Sequence, residues 1–365
     1  MSKKIKIAQI VGNSREGGII NFVFNYFKHI DKNRFQFDFF SYGPGFFDEE
    51  LKKMGANIYY MPSVKNIISC KSFLKKAFKE NKYDIVHSQI TSLSFVPLMV
   101  AKRAGIKTRI CHAHSSTNEQ DPLAFIKNLF KKFSIYYATD LWGCSQLAID
   151  WMYSGTSREK TLILNAIDLE RFKSSESKKK LGKKTLKLED KFVVGSFGRF
   201  VYQKNPKFNI LAFNEFQKLV DNAVLMLVGQ GKLLQECKNL AEELGISNKI
   251  LFLPEIKDVP TYYNALDVFW LPSIFEGLPL VLLEAQAAGI KCFASEFITK
   301  EANITNEITY LRIDNPENWA KQTLAFYKSQ YSYNGSEILA KNGFDIVLAT
   351  KTLENHYERL IKDNF

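Results

Sequence analysis

The chain has 365 residues, 46% of them hydrophobic and 24% charged, which is the balance of a globular protein long enough for two domains. No apolar run approaches the ~20 residues of a membrane-spanning helix, and the five cysteines include no CxxC pair, so we expect a cytosolic protein with reduced thiols and no metal site. The net charge of +12 is concentrated in residues 1–190, which carry 32 Lys and Arg against 18 Asp and Glu. The excess of positive charge would attract an anionic membrane or nucleic acid. Alternatively, these residues only form a solvated surface.

The first half of the chain alternates short apolar runs with helix-like segments. The first apolar run, residues 4–12, is too short for a secretory signal and is interrupted by Lys6. We interpret this run as a buried strand. Further strands are predicted over 35–42, 57–62, 84–89, 108–114, 140–145 and 161–167, and helices over 20–30 and 68–82. This alternation of near-continuous apolar strands with helices predicts a parallel sheet that is covered on both faces.

The same alternation restarts after a lysine-rich segment, residues 174–191, which we interpret as a linker or a loose surface segment. Strands are predicted over 191–199, 223–231, 249–255, 268–273 and 291–295, and helices over 205–220, 233–245, 278–289 and 336–363. The chain is therefore expected to form two Rossmann-like α/β domains, over residues 1–180 and 185–345. Open α/β sheets bind ligands at the carboxyl ends of their strands, so two such domains facing each other would enclose a cleft.

Two glycine-containing loops follow predicted strands and suit a phosphate. In VGNSREGGIINFVFN, Gly17 and Gly18 precede a predicted helix. They allow close backbone approach to an anion at the helix N-terminus, but GxGxxG is absent and a plain turn is equally open. In GSFGRFVYQK, Arg199 and Lys204 flank a turn. They can neutralise a diphosphate, or they are two surface cations.

Two carboxylates interrupt an otherwise apolar stretch, SIFEGLPLVLLEAQAAG, at Glu276 and Glu284. A buried carboxylate needs a cation or a polar ligand. Glu276 would lie in the loop after a strand and Glu284 on the following helix, with Pro279 in its first turn. Both acids would face a cleft and accept hydrogen bonds from vicinal sugar hydroxyls, while the amides near Gly277 and Leu278 would meet phosphate. A helix with a routine N-terminal acid is the alternative.

Two histidines end another predicted strand, in RICHAHSSTNEQ. The side chains of His112 and His114 would point to the same face of an extended chain. No third metal ligand is obvious nearby, so we expect one of them to hydrogen-bond substrate, although an ordinary packed or exposed histidine is equally open.

Together these segments resemble the family 4 retaining glycosyltransferases of the GT-B fold over nearly the whole chain. EGLPLVLLEAQAAG looks like that family's E-x7-E motif, GRFVYQK like its phosphate clamp, and REGGIINFV like the glycine loop over the donor diphosphate. The segment ILNAIDLERF is similar to the one that closes the family's N-terminal domain, with Ala166 in place of the usual glycine. The resemblance is greatest to bacterial capsule and exopolysaccharide enzymes. It implies that a C-terminal helix at about 346–365 crosses back to the N-terminal acceptor domain.

The resemblance also implies roles in transfer from a nucleoside-diphosphate sugar, here expected to be a UDP-sugar. Arg199 and Lys204 would neutralise the diphosphate, Glu284 would bind the ribose and Glu276 would orient the sugar. No metal or other cofactor would be required, and the configuration of the sugar would be retained. The remaining implied residues are His114 beside the reacting centre, Glu255 and Ile256 at the base, and Gly17 and Gly18 closing over the donor.

The family's acceptors are often lipid-linked sugars, so the basic first half of the chain would contact the membrane that carries them. In AFIKNLFKKFSIYY, residues 124–137, lysines interleave with aromatic side chains. A basic amphipathic helix of this kind is suited to binding the cytoplasmic face of the plasma membrane. Alternatively, it packs on the sheet and exposes its basic face to solvent.

Three alternatives remain. A sugar-nucleotide 2-epimerase shares the fold, but a convincing set of acids and histidines for proton abstraction is missing. A catalytically inactive partner subunit would not need the intact charged residues. A nucleic-acid binder would leave Glu276 and Glu284 unexplained. The sequence contains no Asp-x-Asp, GxxxxGK[ST] or Gly-x-Ser-x-Gly motif, which argues against a P-loop NTPase and an α/β-hydrolase.

Overall fold

The protein divides into two compact units. The structure is a computed structural model that describes residues 3–14, 18–114, 124–254, 256, 258–329 and 333–363. The first unit comprises Met1–Ala166 and Ile346–Phe365, and the second comprises Ile167–Asp345.

Each unit is built on one parallel sheet. The strands of the first unit are β1 (Ile5–Gly12), β2 (Phe35–Ser41), β3 (Asn57–Tyr60), β4 (Ile85–Ser88), β5 (Thr108–Ala113), β6 (Asp140–Gly143) and β7 (Lys160–Leu162). Those of the second unit are β8 (Phe192–Phe197), β9 (Ala223–Val228), β10 (Ile250–Leu253), β11 (Val268–Leu271), β12 (Lys291–Ser295) and β13 (Ile308–Leu311).

The strand orders are β3-β2-β1-β4-β5-β6-β7 and β10-β9-β8-β11-β12-β13. In each sheet the order reverses beside the first strand, between β1 and β4 and between β8 and β11. Open α/β sheets bind ligands at such reversals, outside the carboxyl ends of the strands. The predicted pair of parallel Rossmann-like sheets is therefore confirmed.

Helices connect most of the successive strands in both units. Those from the first unit are α1 (Gly18–His29), α2 (Asp48–Lys53), α3 (Ile67–Asn81), α4 (Phe95–Arg103), α5 (Ala124–Tyr137) and α6 (Gln146–Tyr153). The second unit contributes α7 (Leu169–Phe172), α8 (Glu176–Thr185), α9 (Pro206–Phe216), α10 (Leu234–Glu243), α11 (Val259–Ala265), α12 (Leu280–Ala287), α13 (Pro316–Tyr327) and α14 (Gly335–Lys341). The last helix, α15 (Ile346–Asp363), belongs to the first unit.

The sheets form the centre of each hydrophobic core. On β1, Ile7 and Ile10 are fully buried, and on β9 Leu225 is fully buried, so both strands have the continuous apolar character of strands covered on two faces. Helix α15 buries Leu353 and Tyr357 in the core of the first unit. This packing places Tyr357 against Phe37 of β2 and His87 of β4.

The prediction of a linker over 174–191 is wrong, because much of that segment is helix α8. Ser175 caps the helix by accepting a hydrogen bond from the backbone N–H of Lys178. Lys183 Nζ lies 2.8 Å from a carboxylate oxygen of Asp267. Gly182 allows α8 to approach α11 closely, since a Cβ there would lie 2.9 Å from the Thr261 carbonyl oxygen. The segment therefore lies with the second unit.

Two further elements differ from the sequence prediction. The stretch predicted as helical over 336–363 forms two helices, α14 and α15, separated by a turn in which Gly343 has φ +84°. Helix α15 begins at Ile346, where the resemblance implied the start of the C-terminal helix. Strand β13 was not predicted from the sequence. The division between the units falls after Ala166, earlier than the boundary at 180–185 drawn from the sequence.

Candidate functional site

The charged residues singled out in the second half of the chain follow two adjacent strands. Arg199 and Lys204 follow β8, whereas Glu276 follows β11, which pairs with β8 in parallel. Parallel strands end at the same edge of a sheet, so both loops lie at the reversal of strand order. We call the segment 198–204 the clamp loop.

Lys204 and Glu276 form an ion pair. Lys204 Nζ lies 2.6 Å from Glu276 Oε1, and the two side chains are only 17% and 10% exposed. Glu276 Oε1 is buried and has no hydrogen bond of regular geometry within the described residues, so the contact with Lys204 is mainly electrostatic. The carboxylate in the apolar stretch thus has a cation as its partner.

Main-chain and side-chain hydrogen bonds tie the two loops together. The backbone N–H of Ile274 donates to the Gln203 carbonyl oxygen at 2.8 Å, and Gln203 Nε2 donates to the Phe275 carbonyl oxygen at 3.1 Å. Gln203 precedes Lys204 and Phe275 precedes Glu276 in the chain, so these bonds hold Lys204 and Glu276 close to each other.

The clamp loop also rests on the loop after β9. The N–H of Gly198 donates to the Val228 carbonyl oxygen at 2.9 Å, and the N–H of Phe200 donates to Gln230 at 2.7 Å. Gly229 has φ +143°, and a Cβ there would overlap the Gly198 carbonyl oxygen. Glycine at this position therefore permits the close approach of the two loops.

A small cavity brings Arg199 and Lys204 together. Its volume is about 10 Å³, and it is lined by Arg199, Lys204 and Asn209 among other residues. Asn209 donates from Nδ2 to Ser196 Oγ at 3.0 Å, while its buried Oδ1 has no partner within the described residues. The space is comparable with that needed for one water molecule.

Glu284 has a different partner, a tyrosine that sequence reasoning missed. Tyr263 on α11 donates from its hydroxyl to Glu284 Oε2 at 2.8 Å. Burial raises the pKa of Glu284, while the hydrogen bond from Tyr263 and the charge of Arg171 act in the opposite direction. No spacing rule links a helix residue with a carboxylate 21 positions later, so the sequence carries no signal for this pair.

Three further predicted residues of the second unit, Gly277, Leu278 and Ile256, follow the carboxyl ends of β11 and β10. Gly277 and Leu278 precede α12, which begins two residues later than expected, with Pro279 as its N-cap. Pro279 makes no side-chain hydrogen bond to the helix. Ile256 follows β10 and is partly buried. Glu255 and Gly17 lie outside the described residues, and Gly18 is the first residue of α1.

His112 and His114 lie together in the first unit, as their alternation in the strand predicted. Their ring centroids are 4.3 Å apart with an interplanar angle of 25°. His112 is fully buried, whereas His114 is partly exposed. Burial lowers the pKa of His114 to about 3 and the pKa of His112 well below its ordinary value, so both rings are neutral at pH 7.

Four polar residues that sequence reasoning missed surround these rings. His114 Nε2 lies 2.6 Å from Gln89 Oε1, and His112 Nδ1 lies 2.9 Å from His87 Nε2. The set is completed by Gln9 and Tyr357, from β1 and α15. Among the residues that the structure describes, no group of three or more His, Cys, Asp or Glu side chains is arranged to hold a metal ion.

Helix α5 exposes an apolar ridge, formed by Leu129 (45% exposed), Phe133 (45%) and Tyr136 (68%). Their spacing of four and three residues places them on one face of the helix. Lys132 is exposed. Lys131 is only 9% exposed, and its ammonium group lies 4.4 Å from the centre of the Trp151 ring, so Lys131 adds little charge to the exposed face of α5. No helix within the described part of the chain is long and apolar enough to cross a membrane.

Sequence comparisons match the chain to a glycosyltransferase family and to proteins named as glycosyltransferases. Residues 177–343 match the family described as "Glycosyl transferases group 1". EpsF of Bacillus subtilis is 28% identical over 343 residues, covering 89% of this chain and 88% of its own. The UDP-Gal:alpha-D-GlcNAc-diphosphoundecaprenol alpha-1,3-galactosyltransferase of Escherichia coli is 31% identical over 266 residues, covering 69% of this chain and 66% of its own.

Among solved structures, HepE of Anabaena in complex with UDP-glucose is similar to the whole chain. The TM-score is 0.81 at 17% identity, with 97% of this chain and 99% of that chain covered. At this identity the likeness concerns the fold alone, and it confirms the GT-B fold expected from the sequence.

Proposed function

Because the chain belongs to the glycosyl transferase group 1 family, we propose that it transfers a hexose-type sugar from a UDP-sugar to a lipid-linked or glycan acceptor in polysaccharide biosynthesis. The proposed reaction retains the configuration of the sugar and requires no metal, as in family 4. A UDP-linked donor is supported by the name of the Escherichia coli relative and by the UDP-glucose bound to HepE.

The observation that carries this proposal is the clamp loop with its ion pair. Arg199 and Lys204 line one cavity at the reversal of strand order, and Lys204 is held 2.6 Å from Glu276. Two cations beside a carboxylate suit a diphosphate that is attached to a hydroxylated sugar. In the proposed site the cations bind the diphosphate and Glu276 accepts hydrogen bonds from the sugar.

The other groups of the second unit complete the donor site. Glu284 accepts hydrogen bonds from the ribose hydroxyls, with Tyr263 holding its carboxylate by the 2.8 Å bond. The backbone of Gly277 and Leu278 approaches the phosphates ahead of α12, where the helix dipole favours negative charge. Ile256 and Glu255 contact the base, and Gly17 and Gly18 cover the donor; these assignments rest on the family resemblance.

In the proposed reaction an acceptor hydroxyl oxygen forms a bond to the anomeric carbon of the sugar. The bond between that carbon and the phosphate oxygen breaks, and UDP leaves from the same face. The hydroxyl proton passes to the departing phosphate. Arg199 and Lys204 stabilise the negative charge that develops on UDP, which is electrostatic transition-state stabilisation. His114 hydrogen-bonds the donor sugar, and because it is neutral it does so without adding charge.

The proposed acceptor is presented at the cytoplasmic face of the plasma membrane. The Escherichia coli relative is named for a diphosphoundecaprenol-linked sugar, which supports a lipid-linked substrate. The exposed ridge of α5 offers apolar contact to such a surface, and the excess of basic residues in the first half of the chain offers electrostatic attraction to anionic lipids.

Transfer is tested by incubating the purified protein with UDP-glucose, UDP-galactose or UDP-N-acetylglucosamine and undecaprenyl-diphosphate-linked sugars, in the presence of EDTA. We expect one donor to yield UDP and a lengthened lipid-linked glycan, in which NMR shows the anomeric configuration of the donor. Loss of transfer in EDTA, or an inverted product, would contradict the mechanism. UDP-sugar turned over to an epimer without an acceptor would favour the epimerase.

A further inference from the structure

Six polar side chains of the first unit form one hydrogen-bonded chain, which we call the histidine wire. It runs through His114, Gln89, Gln9, Tyr357, His87 and His112, in that order. All of them except His114 belong to residues that are almost completely buried. Buried polar networks of this kind are costly unless every member has a partner, so their geometry is usually tightly specified.

The outer half of the wire connects His114 with helix α15. His114 Nε2 lies 2.6 Å from Gln89 Oε1, and Gln89 Nε2 donates to Gln9 Oε1 at 2.8 Å. Gln9 Nε2 then donates to the hydroxyl oxygen of Tyr357 at 3.1 Å. Since each amide uses its oxygen on one side and its nitrogen on the other, the hydrogens all point the same way along this half.

The inner half continues in the same direction. Tyr357 has one hydrogen and already accepts one, so it donates to His87 Nδ1 at 2.7 Å. A neutral imidazole that accepts at one nitrogen carries its hydrogen on the other. His87 therefore donates from Nε2 to His112 Nδ1 at 2.9 Å. His112 in turn carries its hydrogen on Nε2.

The inner end of the wire is closed. His112 Nε2 is buried and has no hydrogen-bond partner within the described residues. The ring of Phe22 lies 5.1 Å from that of His112 at an interplanar angle of 82°. With His112 as its last member, the wire takes its direction from the amide groups of Gln9 and Gln89, each of which donates from Nε2 toward Tyr357.

We propose that the histidine wire fixes the tautomer of His114, with its hydrogen on Nε2 and a lone pair on Nδ1, so that the ring accepts a hydrogen bond from a hydroxyl of the donor sugar. Gln9, His87 and Tyr357 are then positioning residues, which act on the sugar through His114. The part of this proposal that concerns the sugar rests on the proposed function. The part that concerns the tautomer does not.

The tautomer is measured by two-bond ¹H–¹⁵N correlation NMR on histidine-labelled protein, which contains five histidines. His114→Gln identifies the His114 signals. We expect a single Nε2–H tautomer of His114 in the unmodified protein. Tyr357→Phe removes the only hydroxyl of the wire, so both directions become possible and His114 should show a mixture. Gln89→Leu, which breaks the first link, provides a second variant if Tyr357→Phe fails to fold.

Tyr153→Phe is the matched control. Tyr153 is also a buried tyrosine of the first unit, but its hydroxyl bonds to the backbone oxygens of Cys111 and Trp142, at 2.5 Å and 2.7 Å, and lies outside the wire. The control should keep the Nε2–H tautomer. With a UDP-sugar, kcat/KM should fall about tenfold in Tyr357→Phe and not in the control, which corresponds to about 1.4 kcal/mol, and UDP affinity should be unchanged.

An Nδ1–H tautomer in the unmodified protein would overturn the proposal, as would an unaltered single Nε2–H tautomer in Tyr357→Phe and Gln89→Leu. If the tautomer of His114 changes in the variants as expected but the protein transfers no sugar, the histidine wire would be supported and the proposed function would be refuted.

Discussion

Lys204, in the clamp loop, and Glu276, in the loop after β11, neutralise each other's charge. A diphosphate that binds Lys204 has to compete with this carboxylate, because both are anions that seek the same ammonium group. Glu276 is thus expected to weaken the binding of UDP while it orients the sugar of a UDP-sugar. This opposition gives a prediction with a definite sign.

We predict that Glu276→Gln binds UDP about 3- to 10-fold more tightly than the unmodified protein, a gain of about 1 kcal/mol. Transfer should nevertheless fall at least 100-fold, because the carboxylate that orients the sugar is lost. Calorimetry measures the first effect and product formation the second.

Glu307→Gln is the control, since it breaks another ion pair of the second unit, in which Lys291 Nζ lies 3.6 Å from Glu307 Oε2 and the side chains are 18% and 22% exposed. It should leave UDP affinity unchanged. Weaker UDP binding by Glu276→Gln would show that the carboxylate does not compete with the diphosphate.

The environment of Glu284 predicts a pH dependence of UDP binding. The pKa of Glu284 in the folded protein is raised above its ordinary value, chiefly by burial. If the carboxylate binds ribose, UDP affinity should fall as pH drops through this raised pKa. Tyr263→Phe removes a hydrogen bond that lowers the pKa, so the midpoint of the fall should move to higher pH. Tyr262→Phe, at the adjacent position, is the control; identical midpoints in the two variants would contradict the prediction.

The same raised pKa predicts how Glu284 affects stability. Because the folded state favours the protonated carboxyl, any stabilisation from Glu284 is present below the pKa of the unfolded chain and is lost as pH rises through the folded pKa. Glu284→Gln should therefore raise the thermal unfolding temperature at pH 8 more than at pH 4, while it weakens UDP binding. A lower unfolding temperature at pH 8 would show that the carboxylate is stabilised by its partners.

At the scale of single residues, the sequence identified the charged groups but not their partners. Glu276 and Glu284 stand out because they interrupt apolar residues, and Arg199 and Lys204 because they flank a glycine turn. The pairing of Lys204 with Glu276 depends on which strands are adjacent, and adjacency of β8 and β11 cannot be read from local patterns. Tyr263 was missed for the same reason.

At the scale of elements, the clamp loop depends on the loop after β9. The two loops approach so closely at Gly198 and Gly229 that a side chain at Gly229 would overlap the Gly198 carbonyl oxygen. The position of Arg199 and Lys204 is therefore set partly by a residue that carries no chemistry.

We predict that Gly229→Ala displaces the clamp loop and weakens UDP binding about tenfold or more. The substitution also carries a conformational cost of about 1 kcal/mol, because alanine disfavours positive φ. Gly245→Ala is the matched control: Gly245 has φ +69°, but a Cβ there would meet nothing within 4 Å. Thermal unfolding and calorimetry should show both variants destabilised and only Gly229→Ala impaired in binding. Normal UDP affinity in Gly229→Ala would mean that the contact does not position the clamp.

Element prediction succeeded where the pattern was periodic and failed where tertiary contacts decided the outcome. The buried strands of both sheets were predicted because their apolar runs are continuous. Helix α8 was taken for a linker because its lysines hide a weak apolar face, and its packing depends on Gly182 and the ion pair of Lys183 with Asp267. A lysine-rich composition alone does not distinguish a loose segment from a helix that packs through a glycine.

At the scale of the whole molecule, the uneven charge and the ridge of α5 together predict membrane binding. We expect the protein to bind vesicles that contain phosphatidylglycerol more tightly than neutral vesicles, with binding that weakens as salt screens the charges. Combined Phe133→Ser and Tyr136→Ser should reduce vesicle binding at least tenfold, since two apolar contacts are lost.

Phe46→Ser is the control for this experiment, because Phe46 is another exposed aromatic residue of the first unit, at 64% exposure, and lies outside α5. Equal loss of vesicle binding in Phe46→Ser and in the double variant would show that α5 is not the contact surface. Vesicle sedimentation gives the affinities directly.

The repeated strand–helix alternation was sufficient to predict two α/β units, and the family resemblance supplied the GT-B fold. The order of the strands and the return of α15 to the first unit are properties of the tertiary structure. For that reason Tyr357 could not be associated with the histidines from the sequence, although it lies 2.7 Å from His87.

The measurement that tests the central claim most directly is calorimetric titration of the full chain with UDP, GDP and ADP in EDTA, repeated on Glu284→Ala and Arg199→Ala. If the second unit is a nucleotide-sugar donor site, UDP should bind without metal, more tightly than GDP or ADP, and binding should be lost in both variants. Folded protein that binds none of the three nucleotides would contradict the donor site and favour an inactive partner subunit.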